Sequence, residues 1–357
     1  MVKRFKVRIW LAGLVISLGA LLVWLDPRGP QDTSIDPEAQ AQEPGHVLEN
    51  AEITLFGDNG NVLQSLKTPR LIHTPQQSET WAEEPEALLY DNEDRQWLAS
   101  ADVGTLNTAT QSLLLSGSAR LIAPDEGWQL DTELLHYDGV TQHAWSDTPV
   151  ILQQPPQQMS ASRMDVWLND SRVRLTDNVR GTHPRPSNLE RSRHESTYLH
   201  RPFALAMPLT TLAQTSQQAP IEVEADRLDL DQRAGTAVYS GDVDIRQGEM
   251  QLRGERVEVK RNEAGELSTA TATGERAYLR HQGEGQEGPT EGWARRIIYH
   301  VAERRVELID QAELTQQEDT FSGGRLEYFI DREVIQARSD VDGSEPQRIR
   351  MTLQPEQ

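Results

Sequence analysis

The chain has 357 residues, 36% of them hydrophobic and 6% aromatic, and a net charge of −21 from 56 acidic and 35 basic side chains. A surface this acidic repels nucleic acid and anionic membrane faces, so no nucleic-acid partner is expected. The absence of cysteine excludes disulfides, thiolate catalysis, zinc–thiolate sites and iron–sulfur clusters, and the low apolar content favours extended architecture over one deep core.

The N-terminus reads as an anchor. MVKRFKVR carries Lys3, Arg4, Lys6 and Arg8, and Ile9–Leu25 then runs without a charge. At about 1.5 Å per residue that run is about 25 Å long, the short end of a membrane span. Trp10 and Trp24 stand at its two ends. The basic flank belongs in the cytoplasm, so everything after Asp26 is expected on the far side of the membrane. Leu22–Leu25 offers no small-x-small cleavage site, which favours an uncleaved helix over a signal peptide.

Beyond residue 30 the period is two, not 3.6. AVYSGDVDI, residues 237–245, places Ala237, Tyr239, Val243 and Ile245 on one face around Gly241. The same pattern returns around Glu83, Gly117, Asp147, Asp177 and Asp310, with a ragged copy at Gly274. The centres lie about 30–36 residues apart, except across a break between Asp177 and Gly241, and such a period marks a repeat architecture. A second apolar strand precedes most copies, so Val166, Leu230 and Tyr299 stand at one common interval before Asp177, Gly241 and Asp310. The unit is strand, short turn, strand, with one dry and one wet face, as in ERVEVKR where Val257 and Val259 alternate with Arg256 and Glu258.

The central slot holds Asp in some copies and Gly in others. The two residue types share tolerance of left-handed backbone, not proton chemistry, so the slot reads as a bulge or bend rather than a catalytic or metal-binding carboxylate. No GxGxxG, P-loop, HExxH or GxSxG motif is present, the nine histidines are scattered, and no catalytic residue, metal or cofactor is expected. Small inward residues (Ala119, Ala237, Ala272, Ala312) imply either closely approaching sheets or a groove that suits acyl chains. With strands shared between two sheets at about 4.8 Å spacing, the tube would be roughly 35–40 Å long.

Residues 219–259 (APIEVEADRLDLDQRAGTAVYSGDVDIRQGEMQLRGERVEV) and 296–337 resemble the LptA family of periplasmic lipopolysaccharide transport proteins in strand order, turn spacing and the positions of Gly241 and Gly323–Gly324. Residues 1–183, with the anchor, Trp81–Pro85 and RMDVWLNDSRVRLTDNVRG, resemble LptC, the membrane-anchored partner, by layout more than by motif. The resemblance implies an all-β chain: two open twisted β-jellyrolls of the β-taco, OstA-like kind after one transmembrane helix. It implies a basic tail (1–8), the helix (9–25), a linker (26–45), an LptC-like jellyroll (46–183), a second linker (184–219) and an LptA-like jellyroll (220–354). The implied function is binding and transfer of lipopolysaccharide, without catalysis. The implied partners are an inner-membrane ABC transporter, LptA-like domains of other copies and the outer-membrane translocon.

Carried over by position, Ile221 and Val223 match a first-strand pair that faces lipid in the family. Tyr239, Val243, Ile245, Val257, Val259, Tyr299, Leu308, Leu314 and Tyr328 share the inward parity, and Trp81 sits where the family has an aromatic pair, with Ala82 a departure. The joint between halves is expected from Val166, Val173, Leu175 and Val179 on one side and Leu228 and Leu230 on the other. Within the linker, FALAMPLTTLAQ (residues 203–214) resembles a worn secretory signal with a candidate cleavage site at Ala213, read here as a relic of gene fusion. Two further readings remain open: a structural envelope tether that binds no lipid, and a glycan-active enzyme on a repeating β scaffold. The enzyme would need clustered carboxylates that do not interchange with Gly.

Overall fold

The computed structural model describes residues 46–57, 60–74, 79–183, 219–262, 267–283, 288–317, 319–339 and 348–352. The expected basic tail, transmembrane helix and first linker, the second linker up to residue 218, and Ala213 with it, lie outside the described residues. Among the described residues no helix is long and apolar enough to cross a membrane.

The chain runs back and forth as one antiparallel meander. β1 (His46–Phe56) and β2 (Val62–Thr74) open it. The next passes are each split in two: β3 (Glu79–Glu83) with β4 (Glu86–Tyr90), then β5 (Gln96–Ser100) with β6 (Val103–Asn107). β7 (Ser112–Ala123) and β8 (Trp128–Asp138) are continuous. β9 (His143–Ser146) with β10 (Val150–Gln154), and β11 (Gln157–Ala161) with β12 (Arg163–Trp167), are split again. The passes are then unbroken through β13 (Arg172–His183), β14 (Ile221–Asp231), β15 (Thr236–Gln247), β16 (Met250–Arg261), β17 (Leu267–His281), β18 (Thr290–His300), β19 (Arg305–Gln316) and β20 (Asp319–Phe329). A 3-10 turn at Ile330–Arg332 leads to β21 (Val334–Arg338), and β22 (Arg350–Thr352) pairs with the opposite end of β20.

A single crease folds this sheet into two leaves. In every pass the register breaks or the strand is interrupted near its middle: β2 pairs with β3 on one side of the crease and with β4 on the other. The repeated central slots lie on this crease. Gly117–Ser118, Asp177–Asn178, Gly241–Asp242 and Asp310–Gln311 all take left-handed backbone, at φ 76°/46°, 63°/55°, 78°/40° and 65°/52°. The ladders shift register at the same four places. Two successive left-handed residues turn the strand through the corner. Asp177 and Asp310 face outward there, paired with Arg163 at 2.6 Å and Arg295 at 3.6 Å. The ragged copy at Gly274 has no positive φ. At Glu83 and Asp147 the strand is interrupted beside Pro85 and Pro149 instead.

Small residues line the inside of the crease, where the leaves are closest. Ala82, Ala87, Ala99, Ala119, Ala161, Ala225, Ala272, Ala277, Ala294 and Ala312 are all buried within a few residues of it. Larger side chains stand further from the corner, where the wedge is wider. Each pass therefore crosses both leaves and adds a full strand spacing. The roughly 16 steps of about 4.8 Å give about 75 Å, twice the length expected from strands shared between two sheets.

Candidate functional site

The interior changes character along the meander. From β2 to β8 it is solid: Leu66, Leu89, Trp97, Leu106, Leu115, Leu121, Trp128, Leu130, Leu135 and Tyr137 are at most 3% exposed, and Trp97 and Trp128 pack edge to face at 5.5 Å. At the far end β19 and β20 are solid too, with Val306, Leu308, Leu314, Leu326 and Tyr328 completely buried. Between these plugs, the leaves around β11 and β13–β18 enclose a cavity of about 1520 Å³.

Its walls are mainly apolar: Met159, Ile221, Val223, Leu230, Ala237, Tyr239, Ile245, Met250, Leu252, Val259 and Tyr299 all face it. Burial pushes the Tyr239 phenol up to about 12, against a smaller opposing effect of Arg261, so it stays neutral at physiological pH. Of the inward residues expected from the sequence, Ile221, Val223, Tyr239, Ile245, Val259 and Tyr299 are brought together here. Val243 and Val257 sit deeper, fully buried at the crease opposite Gly254 and Ala272, and do not line the cavity. Leu308, Leu314 and Tyr328 belong to the distal plug. Trp81 is misplaced by the sequence reading: Ala82 takes the inner position at 1% exposure and Trp81 stands on the opposite face, because only a small side chain fits two residues from the corner.

The two halves meet in a regular ladder. β13 pairs with β14 from Arg172↔Asp231 to His183↔Ile221, including Val173↔Leu230, Leu175↔Leu228 and Val179↔Ala225. Arg174 Nε donates to Asp229 Oδ1 at 2.6 Å on the outer face. Val166 is one strand removed: it lies on β12 opposite Val173 and not at the joint. The cavity straddles this joint, with walls from β11 and β13 on one side and β14–β18 on the other.

Opposite the crease, the free ends of the leaves form a mouth that polar contacts clasp shut over the first half. Gln142 Nε2 donates to the Tyr90 carbonyl at 2.9 Å, and Asn92 N–H to Asn169 Oδ1 at 2.9 Å. Arg233 pairs with Glu93 at 2.8 Å. Arg95 is the hub. It pairs with buried Asp91 at 2.7 Å and Glu126 at 3.3 Å on its own leaf, and donates to Leu168 O at 3.0 Å and to Ser171 Oγ across the gap. Over the cavity one such crossing remains among the described residues, from Arg261 Nη2 to Gln157 Oε1 at 3.0 Å.

Several of these residues were missed by sequence reasoning although the signal was present. Arg261 continues the alternation of Val257 and Val259 by one step, and Gln157, Met159 and Ala161 alternate likewise on β11. The scattered histidines hid an outer-face stack: His136, Trp145, His143 and Trp167 follow one another at 4.9, 5.3 and 5.2 Å, with Arg174 over Trp167 at 5.3 Å.

Comparison with known proteins bears on both halves. The family described as lipopolysaccharide-assembly, LptC-related matches residues 12–184, and the family described as LptA/(LptD N-terminal domain) LPS transport protein matches residues 222–334. The lipopolysaccharide export system protein LptH of Pseudomonas aeruginosa is 35% identical over 157 residues, 43% of this chain and 86% of that protein. The lipopolysaccharide export system protein LptA of Escherichia coli K12 is 27% identical over 141 residues, 39% of this chain and 74% of that protein. The crystal structure of LptH covers 40% of this chain and 100% of its own at 34% identity, with a TM-score of 0.37, too loose a superposition to bear on the fold. The chain belongs to the LptC/LptA-type lipopolysaccharide transport family, with an LptC-related part and an LptA-type part in one polypeptide.

Proposed function

We propose that this chain binds lipopolysaccharide and passes it along a periplasmic bridge, receiving it from an inner-membrane ABC transporter and handing it toward an outer-membrane translocon. The reading rests on one observation above all: an apolar cavity of about 1520 Å³ between the two leaves, at the joint of the two halves. Roughly 300–1,000 Å³ serves a drug-sized ligand, so this space suits a ligand with several acyl chains. The LptC-like part over 46–183 holds the chain to the inner membrane through a single span at 9–25. The LptA-like part over 220–354 extends the conduit, and its last strands offer an open edge for β-strand pairing with further LptA-like domains. The chain works as a non-catalytic carrier and draws its energy from the transporter.

A photo-crosslinking residue at Tyr239 in living cells tests this directly. A lipopolysaccharide-shifted band from Tyr239, absent from an outward position such as Val238, is the expected result. No shift at either position would remove the carrier reading and leave the structural tether. The same blot reports the size of the chain, and a fragment beginning near Gln214 would mean that Ala213 is still cut.

A further inference from the structure

The cavity walls are apolar, but its rim carries a cation. Among the described residues that line it, Arg261 is the one arginine or lysine. Its guanidinium donates to the neutral amide oxygen of Gln157, and no carboxylate of the described residues stands within ion-pair distance. Arg95, Arg163, Arg174, Arg246, Arg305 and Arg325 each hold a carboxylate. The one carboxylate among the described lining residues is Asp231, and it accepts the Ala234 N–H at 2.8 Å. A guanidinium is a rigid fork that matches a phosphate in two parallel hydrogen bonds, and a charge-assisted pair of that kind is stronger than a bond to a neutral amide.

The position adds a second element. Gln157 opens β11 at the free end of one leaf, and Arg261 closes β16 at the free end of the other. Their hydrogen bond spans the mouth. An amphiphile whose chains fill the cavity must leave its polar end at that mouth, where Arg261 can exchange Gln157 for a stronger acceptor.

Building on the carrier reading, we propose that Arg261 binds a phosphate of a multi-acyl phosphorylated amphiphile at the cavity rim, and that its bond to Gln157 is a clasp released when the amphiphile enters. The binding site thus discriminates by headgroup charge as well as by acyl chains, and occupancy loosens the mouth at the joint.

The test uses the full chain in detergent with two probes, bisphosphorylated lipid A and the same lipid stripped of its phosphates, with inorganic phosphate as competitor. Arg261→Gln is expected to weaken binding of the phosphorylated lipid about tenfold or more, in the range of one lost charge-assisted contact, and to leave the stripped lipid within about twofold. Arg261→Lys should retain most of the affinity. Gln157→Ala, which breaks the clasp and keeps the cation, should bind the phosphorylated lipid as well as the parent chain or better. Equal losses for both lipids in Arg261→Gln would overturn the proposal and make Arg261 a structural strut. So would unchanged affinity for the phosphorylated lipid, or a loss in Gln157→Ala as large as in Arg261→Gln. Full displacement by millimolar inorganic phosphate would overturn the amphiphile assignment in favour of a free-anion site. Failure of the parent chain to bind either lipid would instead defeat the carrier reading itself.

Discussion

Replacing Gly241 by alanine probes the crease on which the interior depends. Gly241 stands at φ 78°, and an added Cβ would come 2.2 Å from Asp226 Oδ2 and 2.7 Å from its Cβ and Cγ. Two costs follow, and they separate. Holding a side chain in the left-handed region costs roughly 1–2 kcal/mol. Asp177 and Asp310 bear that cost in the sibling slots, so the fold tolerates it. The second cost is eviction of Asp226, an overpacking strain of about 1–3 kcal/mol. Gly235 supplies the control, since it stands at φ 61° with no atom within 4 Å of its added Cβ. Gly235→Ala is therefore expected to cost about 1 kcal/mol and Gly241→Ala about 2–4. Hydrogen exchange over β14–β16 in the full chain reads the difference, with each 1.4 kcal/mol worth about tenfold in protection. Adding Asp226→Ala to Gly241→Ala should bring protection back to the Gly235→Ala level. Equal losses at the two glycines, or no rescue by Asp226→Ala, would refute the packing account of the crease.

Ile245→Arg places a charge in the cavity at a half-buried position where it can reach the mouth, so lipid crosslinking at Tyr239 should fall at least tenfold while circular dichroism stays unchanged. Arg95→Met leaves Asp91 buried without its counter-ion and should destabilise the first half by about 3 kcal/mol in urea unfolding followed by tryptophan fluorescence; adding Asp91→Asn should recover part of the loss. Acid should loosen β18–β21. Burial pushes the Glu307 carboxyl up, but the Arg305 hydrogen bond and the charges of Arg325, Arg305 and His300 outweigh it and hold the group below its ordinary 4.5. A carboxyl lowered on folding adds stability above its unfolded value, and that stability is lost as the pH falls through the folded one. Exchange protection of β19 and β20 should therefore drop below about pH 4.5 in the parent chain and change less in Glu307→Gln.

Much of the fold is legible in the sequence because it is written by local rules. Alternation marks the strands, and Gly or Asp in the repeated slots marks the corners, since few other residues accept left-handed backbone. Alternation does not say how far a strand continues through a corner, so the passage of each strand across both leaves, and with it the length, was out of reach. Nor does it rank two faces when both carry apolar groups: Trp81 looks like the buried residue until the narrowness beside Glu84 and Pro85 selects Ala82. Trp81 apart, the positions read as inward share one face but differ in depth. Val243 and Ile245 differ by one step along the same face, yet Val243 is sealed at the corner and Ile245 borders the cavity. Depth is set by distance from the crease, and that requires knowing that a crease exists.

The even step of the meander sets a rule for how such a chain can change its span. Neighbouring passes run in opposite directions, and their left-handed pairs recur on passes such as β13, β15 and β19. An inserted or deleted single pass would reverse the direction of everything beyond it, whereas a hairpin of two passes preserves both direction and crease. The reach of a bridge built this way can lengthen or shorten only in increments of about 10 Å, two strand spacings at a time. The β13–β14 joint, whose register breaks only at the crease like that of its neighbours, adds one ordinary strand spacing, so two halves joined there measure as a single ruler with uniform graduations.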